Sequence, residues 1–247
     1  MGQEIFFFVI VGFIAQIIDG ALGMAYGVIS TSFLLTIGIS PAAASASVHT
    51  AEIFISGVSG LSHFRFGNID KDLFKKLLIP GVLGGVIGAY ILSSLPGEKL
   101  KPLIALYLFC MGIIIVYKAL KKITHHTAIT KRIIPLGFIG GFFDAIGGGG
   151  WGPIVTSTLI ARGGNPRLTI GSVNMAEFFV TLFQSFTFIV MIGLIHWKII
   201  VGLLFGGVIA APFAAYICKR LPTFHLMIIV GLLIALLSLR TLFSIFL

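Results

Sequence analysis

Apolar runs follow one another along almost the whole of this chain, at residues 4–43, 42–63, 77–95, 103–116, 133–161, 168–195, 199–218 and 226–247. Crossing a bilayer core of about 30 Å takes about 20 such residues in a helix. With 57% hydrophobic residues, 10% charged ones and a mean hydropathy of +1.11, the surface of a water-soluble globule cannot be built. The pattern predicts a polytopic, all-helical membrane protein embedded in the lipid bilayer.

The formal charge of +9 would suit a nucleic-acid partner, yet the Lys and Arg residues sit in short loops between the runs. Membrane orientation accounts for them, and no nucleic acid is expected. Cys110 and Cys218 lie inside apolar runs and read as small hydrophobes, with no metal spacing. The start, Met1-Gly2-Gln3-Glu4, has no basic n-region and carries Phe6 where a myristoylation signal has Ser or Thr. Neither a cleaved signal peptide nor a lipid anchor is expected. No Gly-x-Ser-x-Gly elbow, His-Glu-x-x-His helix or phosphate loop occurs, so the reading holds no catalytic residue, metal or cofactor.

An internal repeat organises the chain. Residues 12–54 match residues 137–179 at a constant offset of 125, without a gap and with four positions in ten identical. Asp19 falls on Asp144, Gly23 on Gly148, Gly27 on Gly152, Thr31-Ser32 on Thr156-Ser157, Ser47 on Ser172 and Glu52 on Glu177. The register then slips by one and continues weakly, Gly88-Ala89-Tyr90-Ile91 lying opposite Ala214-Ala215-Tyr216-Ile217. The expected units are an N-terminal repeat over 1–117, a basic loop over 118–132 and a C-terminal repeat over 133–247.

The first run of each half has to break, because a straight helix over 6–37 would run about 48 Å. The break falls at residues 19–27 in the first half. In the second it follows Asp144, where Gly147, Gly148, Gly149 and Gly150 precede Trp151-Gly152-Pro153. Four glycines in a row cost a helix about 1 kcal/mol each against Ala. If each broken segment returns to its own side, thirteen Lys and Arg residues collect on one face, leaving Lys99, Lys101, Lys198 and Arg240 for the other. If it crosses, the contrast weakens. The positive-inside rule therefore favours a broken-helix hairpin plus three transmembrane helices per half. An odd number of crossings makes the two repeats inverted, with both termini outside and the basic loop in the cytoplasm.

Four of the eight acidic residues, Asp19, Glu52, Asp144 and Glu177, lie in apolar segments as two repeat-matched pairs. A charge at bilayer depth costs from about 2.5 to more than 10 kcal/mol, so such groups face a cavity or a partner. Either they serve a substrate or proton path, or they cap the broken helices. His49 and Glu52 share a helix face, as do Asn174 and Glu177, and Ser47 and Ser172 lie on the same stretches. One polar cluster per half at equivalent depth is the arrangement of a transporter midplane. Unwound glycine backbone at a half-helix N-terminus would present N–H groups to an anion. Gly23, Gly147 to Gly150, Tyr26 and Trp151 are thus candidate substrate contacts beside Ser47, His49, Ser172 and Asn174, with the four acids as candidate proton carriers.

At these residues the sequence resembles the sulfite exporter TauE/SafE family, also called the toluene sulfonate uptake permease group. The resemblance rests on the duplicated broken helix with its Gly-rich turn at 144–153 and on the stretch from Pro166 to Glu177 with Ser172 and Asn174. The first copy departs from the Gly-rich form and has Val28 where the second has Pro153. The resemblance implies secondary transport of small sulfur-containing anions, sulfite or organosulfonates, driven by the proton gradient across the plasma membrane. A passive anion or proton channel is the alternative reading.

Overall fold

The computed structural model describes residues 2–22, 24–121, 132–162, 164–193, 196–218 and 223–246. Gly23 and the greater part of the basic loop, 122–131, lie outside the described residues. Among the described residues every regular element is a helix: α1 (Gly2–Leu22), α2 (Tyr26–Thr36), α3 (Pro41–Arg65), α4 (Lys71–Ser94), α5 (Gly97–Leu120), α6 (Ile133–Gly147), a π-helical turn (Gly152–Thr156) running into α7 (Ser157–Ala161), α8 (Pro166–Ile192), α9 (Trp197–Cys218) and α10 (Thr223–Phe246). Pro41 opens α3, and the Asp70 side chain accepts from the N–H groups of Asp72 and Leu73 to cap α4.

The chain is an all-helical membrane protein. Among the described residues four helices, within Lys71–Ser94, Lys99–Leu120, Leu168–Ile192 and Met227–Ile245, are long and apolar enough to cross a membrane, and Tyr26–Thr36, Ile133–Gly147 and Trp197–Ala211 are shorter apolar segments. α3, like α8, is rich in buried polar side chains. Its Ser45, Ser47, His49, Glu52 and Ser56 are buried, so this helix occupies the interior.

The first run breaks as its length requires, and both broken segments fold back. The rings of Phe7 in α1 and Phe33 in α2 lie 5.1 Å apart, which brings the end of α2 beside the start of α1. In the second half Ile133, which opens α6, shares one apolar cluster with Leu159 of α7.

Long-range packing pairs α1 with α9, α4 with α6, α5 with α10 and α3 with α8. By the sequence repeat α1 corresponds to α6 and α4 to α9, so the opening helix of each half lies against a helix of the other half. These exchanged pairs run parallel: Leu77 faces Gly137 and Ala145 faces Gly88 further along both helices. The pairs of corresponding helices run antiparallel. Gly57 of α3 meets Phe178 of α8 while Gly60 meets Met175, and Gly112 of α5 meets Ala235 of α10 while Gly231 meets Val116.

Within the bilayer, helices have no hydrophobic drive toward one another, and small residues permit close van der Waals contact instead. Gly81, Gly84, Gly85 and Gly88 line the face of α4 against α6, where a Cβ on Gly141 would stand 3.0 Å from the Gly85 nitrogen. Gly84→Val should push these two backbones apart. In detergent extracts the variant is expected to lose its monodisperse size-exclusion peak, whereas Ile87→Val, on an outward-facing position of the same helix, should keep it.

Candidate functional site

Each break leaves backbone N–H groups of the following helix without intrahelical partners in an apolar interior. The same device meets that need twice. The Asp19 Oδ1 atom accepts from the N–H of Ala25 at 2.7 Å and of Tyr26 at 3.1 Å. The Asp144 Oδ1 atom accepts from Gly150 at 2.7 Å and Trp151 at 2.9 Å. Ala25 and Tyr26 are the repeat partners of Gly150 and Trp151, so the matched acids do the same work at matched places. Each carboxylate also sits at the positive end of a half-helix.

The glycine run makes the second turn. Gly148 takes φ 65° and Gly149 φ 148°, both in the region that favours glycine. The Gly149 N–H returns to the Asp144 carbonyl at 3.0 Å, closing the C-terminus of α6. The turn also touches the first hairpin: the Thr31 hydroxyl donates to the Gly148 carbonyl at 2.6 Å, and a Cβ on Gly27 would lie 2.6 Å from the Gly149 Cα. The tips of the two broken helices thus meet backbone to backbone.

Around this contact lies a polar cluster. Asp19, Glu52, Asp144 and Glu177 all line one cavity with Gly149, Gly150 and the π-helical start at Gly152 and Pro153. The space between them is about that of one water molecule. His49, fully buried and stacked parallel to Phe188, bridges two of the acids. Its Nδ1 is 3.2 Å from Glu52 Oε2 and 3.9 Å from Asp144 Oδ2, and its Nε2 is 3.1 Å from the Asp144 carbonyl oxygen. A carbonyl only accepts, so Nε2 must carry a hydrogen. Nδ1 then faces Glu52 either as an imidazolium donor or as the acceptor of a protonated carboxyl group. In both cases one proton is held between His49 and Glu52.

The structure therefore brings together Asp19, Tyr26, His49, Glu52, Asp144, Gly149, Gly150 and Glu177. The Gly150 and Trp151 N–H groups, candidates for substrate contact, are given to Asp144. Gly147 is packed under the Tyr107 ring, and Gly148 offers its carbonyl to Thr31. Tyr26 and Trp151 are fully buried and send their polar atoms away from the cavity, to the carbonyls of Leu203 and Val173. Three of the sequence candidates lie elsewhere. The Ser47 hydroxyl returns to the Ala43 carbonyl in its own helix, Ser172 exchanges hydrogen bonds with the Asp70 backbone, and Asn174 donates to Ser59.

Four contributors carry no repeat signature that marks them in sequence. Gln184 Nε2 donates to Asp144 Oδ2 at 3.0 Å and to the Gly141 carbonyl at 3.1 Å. The Ser45 hydroxyl donates to the Ala145 carbonyl at 2.5 Å. Tyr107 covers the glycine turn, and Lys118 donates to the Pro153 carbonyl and to the Ser157 hydroxyl. Among the described residues no group of His, Cys, Asp and Glu side chains has the makings of a metal site.

Asp144 accepts from two backbone N–H groups and from Gln184, whereas among the described residues Asp19 accepts from two backbone groups alone. Asp144→Ala strands the buried donors and should cost about 1–3 kcal/mol for each group left unsatisfied. Its thermal-unfolding midpoint in detergent is expected to fall further than that of Asp19→Ala.

The comparisons with known proteins point to a family of membrane transporters. The family described as sulfite exporter TauE/SafE matches residues 8–241. A probable membrane transporter protein, YtnM, of Bacillus subtilis (strain 168) is 42% identical across 98% of this chain and 84% of its own length. A probable membrane transporter protein, ORF9, of Sinorhizobium sp is 26% identical across 81% of this chain and 77% of its own. No solved structure matches the chain. A duplicated broken helix, acids buried at its tips and a family match over almost every residue converge: the chain belongs to the TauE/SafE sulfite exporter family and is a multi-pass membrane transporter rather than an enzyme.

Proposed function

We propose that this transporter carries small sulfur-containing anions, sulfite or organosulfonates, across the plasma membrane, coupled to the proton gradient. The observation that carries the reading is the His49–Glu52 pair, which holds one proton and touches the Asp144 carbonyl at the tip of the second hairpin. A proton gained or lost there changes the charge beside the carboxylate that caps the half-helix. The sulfur anion comes from the family's description as sulfite exporters.

The anion has a place prepared for it. A half-helix N-terminus with its N–H groups turned inward suits a negatively charged oxygen, and here Asp144 and Asp19 supply that oxygen from within the chain. The cavity between the acids is too small for a polyatomic anion, so binding requires the hairpin tips to part. Protonation lowers the negative charge that would repel the substrate, which couples the two events. Glu177 lines the same cavity and is the second proton carrier of the reading.

The mechanism is alternating access between two inverted repeats, 1–117 and 133–247, joined by the cytoplasmic loop 118–132. The antiparallel pairing of α3 with α8 and of α5 with α10 supports inversion, because corresponding helices that meet near an in-plane two-fold axis must run in opposite directions. The ends of the bundle differ in charge as well. Arg65, Lys71, Lys75, Lys76, Lys121, Arg132 and Arg162 gather with the Asp70–Ser172 contact at one end, while Glu4, Ile39 and Lys198 share a cavity at the other.

Two experiments test this. In proteoliposomes, wild type should accumulate radiolabelled sulfite against its gradient when a pH difference is imposed, which a passive channel cannot do. Glu52→Gln and Glu177→Gln should keep sulfite exchange at equal pH but lose stimulation by the gradient, and His49→Asn should shift the pH optimum. Full gradient-driven uptake by both glutamine variants would remove proton coupling through these residues. Separately, single cysteines at Gly2 and at Thr127 should react with impermeant maleimide from opposite sides of the membrane, and labelling from one side would overturn the inverted arrangement.

A further inference from the structure

The proposed transport reading leaves a deficit of positive charge: the central cavity is lined by four carboxylates, and a sulfur anion must pass them. α5 supplies two donors at the edge of that site, Tyr107 and Lys118. Tyr107 and Lys118 stand eleven residues, three helical turns, apart on α5 and so share a face. That face is turned to the second hairpin along its length. The Tyr107 ring covers Gly147, and its hydroxyl lies against Gly150, where a side-chain carbon would collide with it. The hydroxyl oxygen is buried and has no hydrogen-bond partner among the described residues. Lys118, further along, reaches the Pro153 carbonyl at 3.2 Å and the Ser157 hydroxyl on the π-helical turn and α7.

Lys118 is half-buried. Among the described residues it forms no ion pair with a carboxylate, and its two partners are neutral. An ammonium in the last turn of α5 whose partners are both neutral is free to take a mobile anion as its counter-charge. Pro153 lines the central cavity through which the substrate would leave, and its carbonyl is the atom Lys118 holds. A buried hydroxyl without a partner and an ammonium without a carboxylate, on one helix face beside the Gly-rich turn, are donors arranged for a negatively charged oxygen.

We propose that this face of α5 is a second anion station, in which the Tyr107 hydroxyl beside the central cavity and, three turns on, the Lys118 ammonium toward the basic end of the bundle contact the sulfur oxyanion in succession. The anion would take the place of the Pro153 carbonyl on Lys118. Met111 and Ile115, buried on the same stripe, keep water from the stretch between the two donors.

The inference rests on the transport reading, and the assay separates the two. Wild type, Tyr107→Phe, Lys118→Met, Lys118→Arg and the exposed control Lys121→Met are reconstituted and assayed for radiolabelled sulfite exchange. Thermal unfolding is recorded with and without sodium sulfite, sulfate, thiosulfate or toluenesulfonate. Tyr107→Phe removes an oxygen that has no hydrogen-bond partner among the described residues, so it should keep the unfolding midpoint of the anion-free protein while raising KM several-fold. Lys118→Met should raise KM by about tenfold, the scale of one lost charge-assisted hydrogen bond, and Lys118→Arg should recover part of it. Lys121→Met should match wild type. Unchanged KM in both Tyr107→Phe and Lys118→Met, with wild type transporting and stabilised, overturns the α5 station alone. A wild type that neither exchanges sulfite nor is stabilised by any of the anions overturns the transport reading, and the station with it.

Discussion

An interrupted helix inside a membrane leaves N–H groups that neither lipid nor water can satisfy, and the architecture follows from how this chain meets that demand. The answer is a carboxylate placed one turn before each break. Asp19 and Asp144 reach across their own turns to the N–H groups that open the next helix segment. Once committed to that bond, each acid must stay at the tip, and each tip must be shielded from lipid. The shielding is provided by α3 and α8, which is why those helices carry buried Ser, Thr, His, Glu and Gln side chains and lie in the interior.

The two tips are built alike but tied differently. At the second, carbonyls between Gly141 and Gly148 receive hydrogen bonds from Thr31, Ser45, His49 and Gln184, three of which come from the other half of the chain. The repeat partners of Ser45, His49 and Gln184 are Ile170, Asn174 and Ser59. Isoleucine cannot donate, and Asn174 and Ser59 bond to each other. The polar brace around Asp144 therefore has no counterpart of the same composition around Asp19. Sequence symmetry has been kept where a break must be capped and given up where chemistry differs.

Much of this was legible in the sequence because it depends on local spacing. The offset of 125 aligns Asp19 with Asp144, the glycine run marks the break, and the four acids stand out against apolar surroundings. What spacing could not reveal is which side chains arrive from far along the chain. Gln184 meets an acid forty residues away, Thr31 meets a carbonyl more than a hundred residues away, Tyr107 lies in a run that reads as plain membrane span, and Lys118 reads as the first residue of the basic loop. Ser47, Ser172 and Asn174 misled for the opposite reason. They occupy matched positions, but helix phase points Ser47 back at its own backbone and places Ser172 at a loop contact with Asp70. The repeat identifies which residues share an environment without saying that the environment is the cavity.

The exchange of helices between halves has a consequence for how the protein is made. α6 leaves the ribosome when its partner α4 is already in place, but α1 must wait for α9, which begins at Trp197. At about 5–20 residues per second the interval is roughly 10–35 s. Throughout that time a hairpin with a carboxylate at its tip lacks the helix it will finally rest against. The self-contained cap at Asp19, made entirely from residues within seven positions, gives that early hairpin the only satisfaction it can find before the rest of the chain exists. The tip of the second hairpin, born late, can instead rely on side chains from a half already inserted. Order of synthesis and distribution of hydrogen bonds run in step.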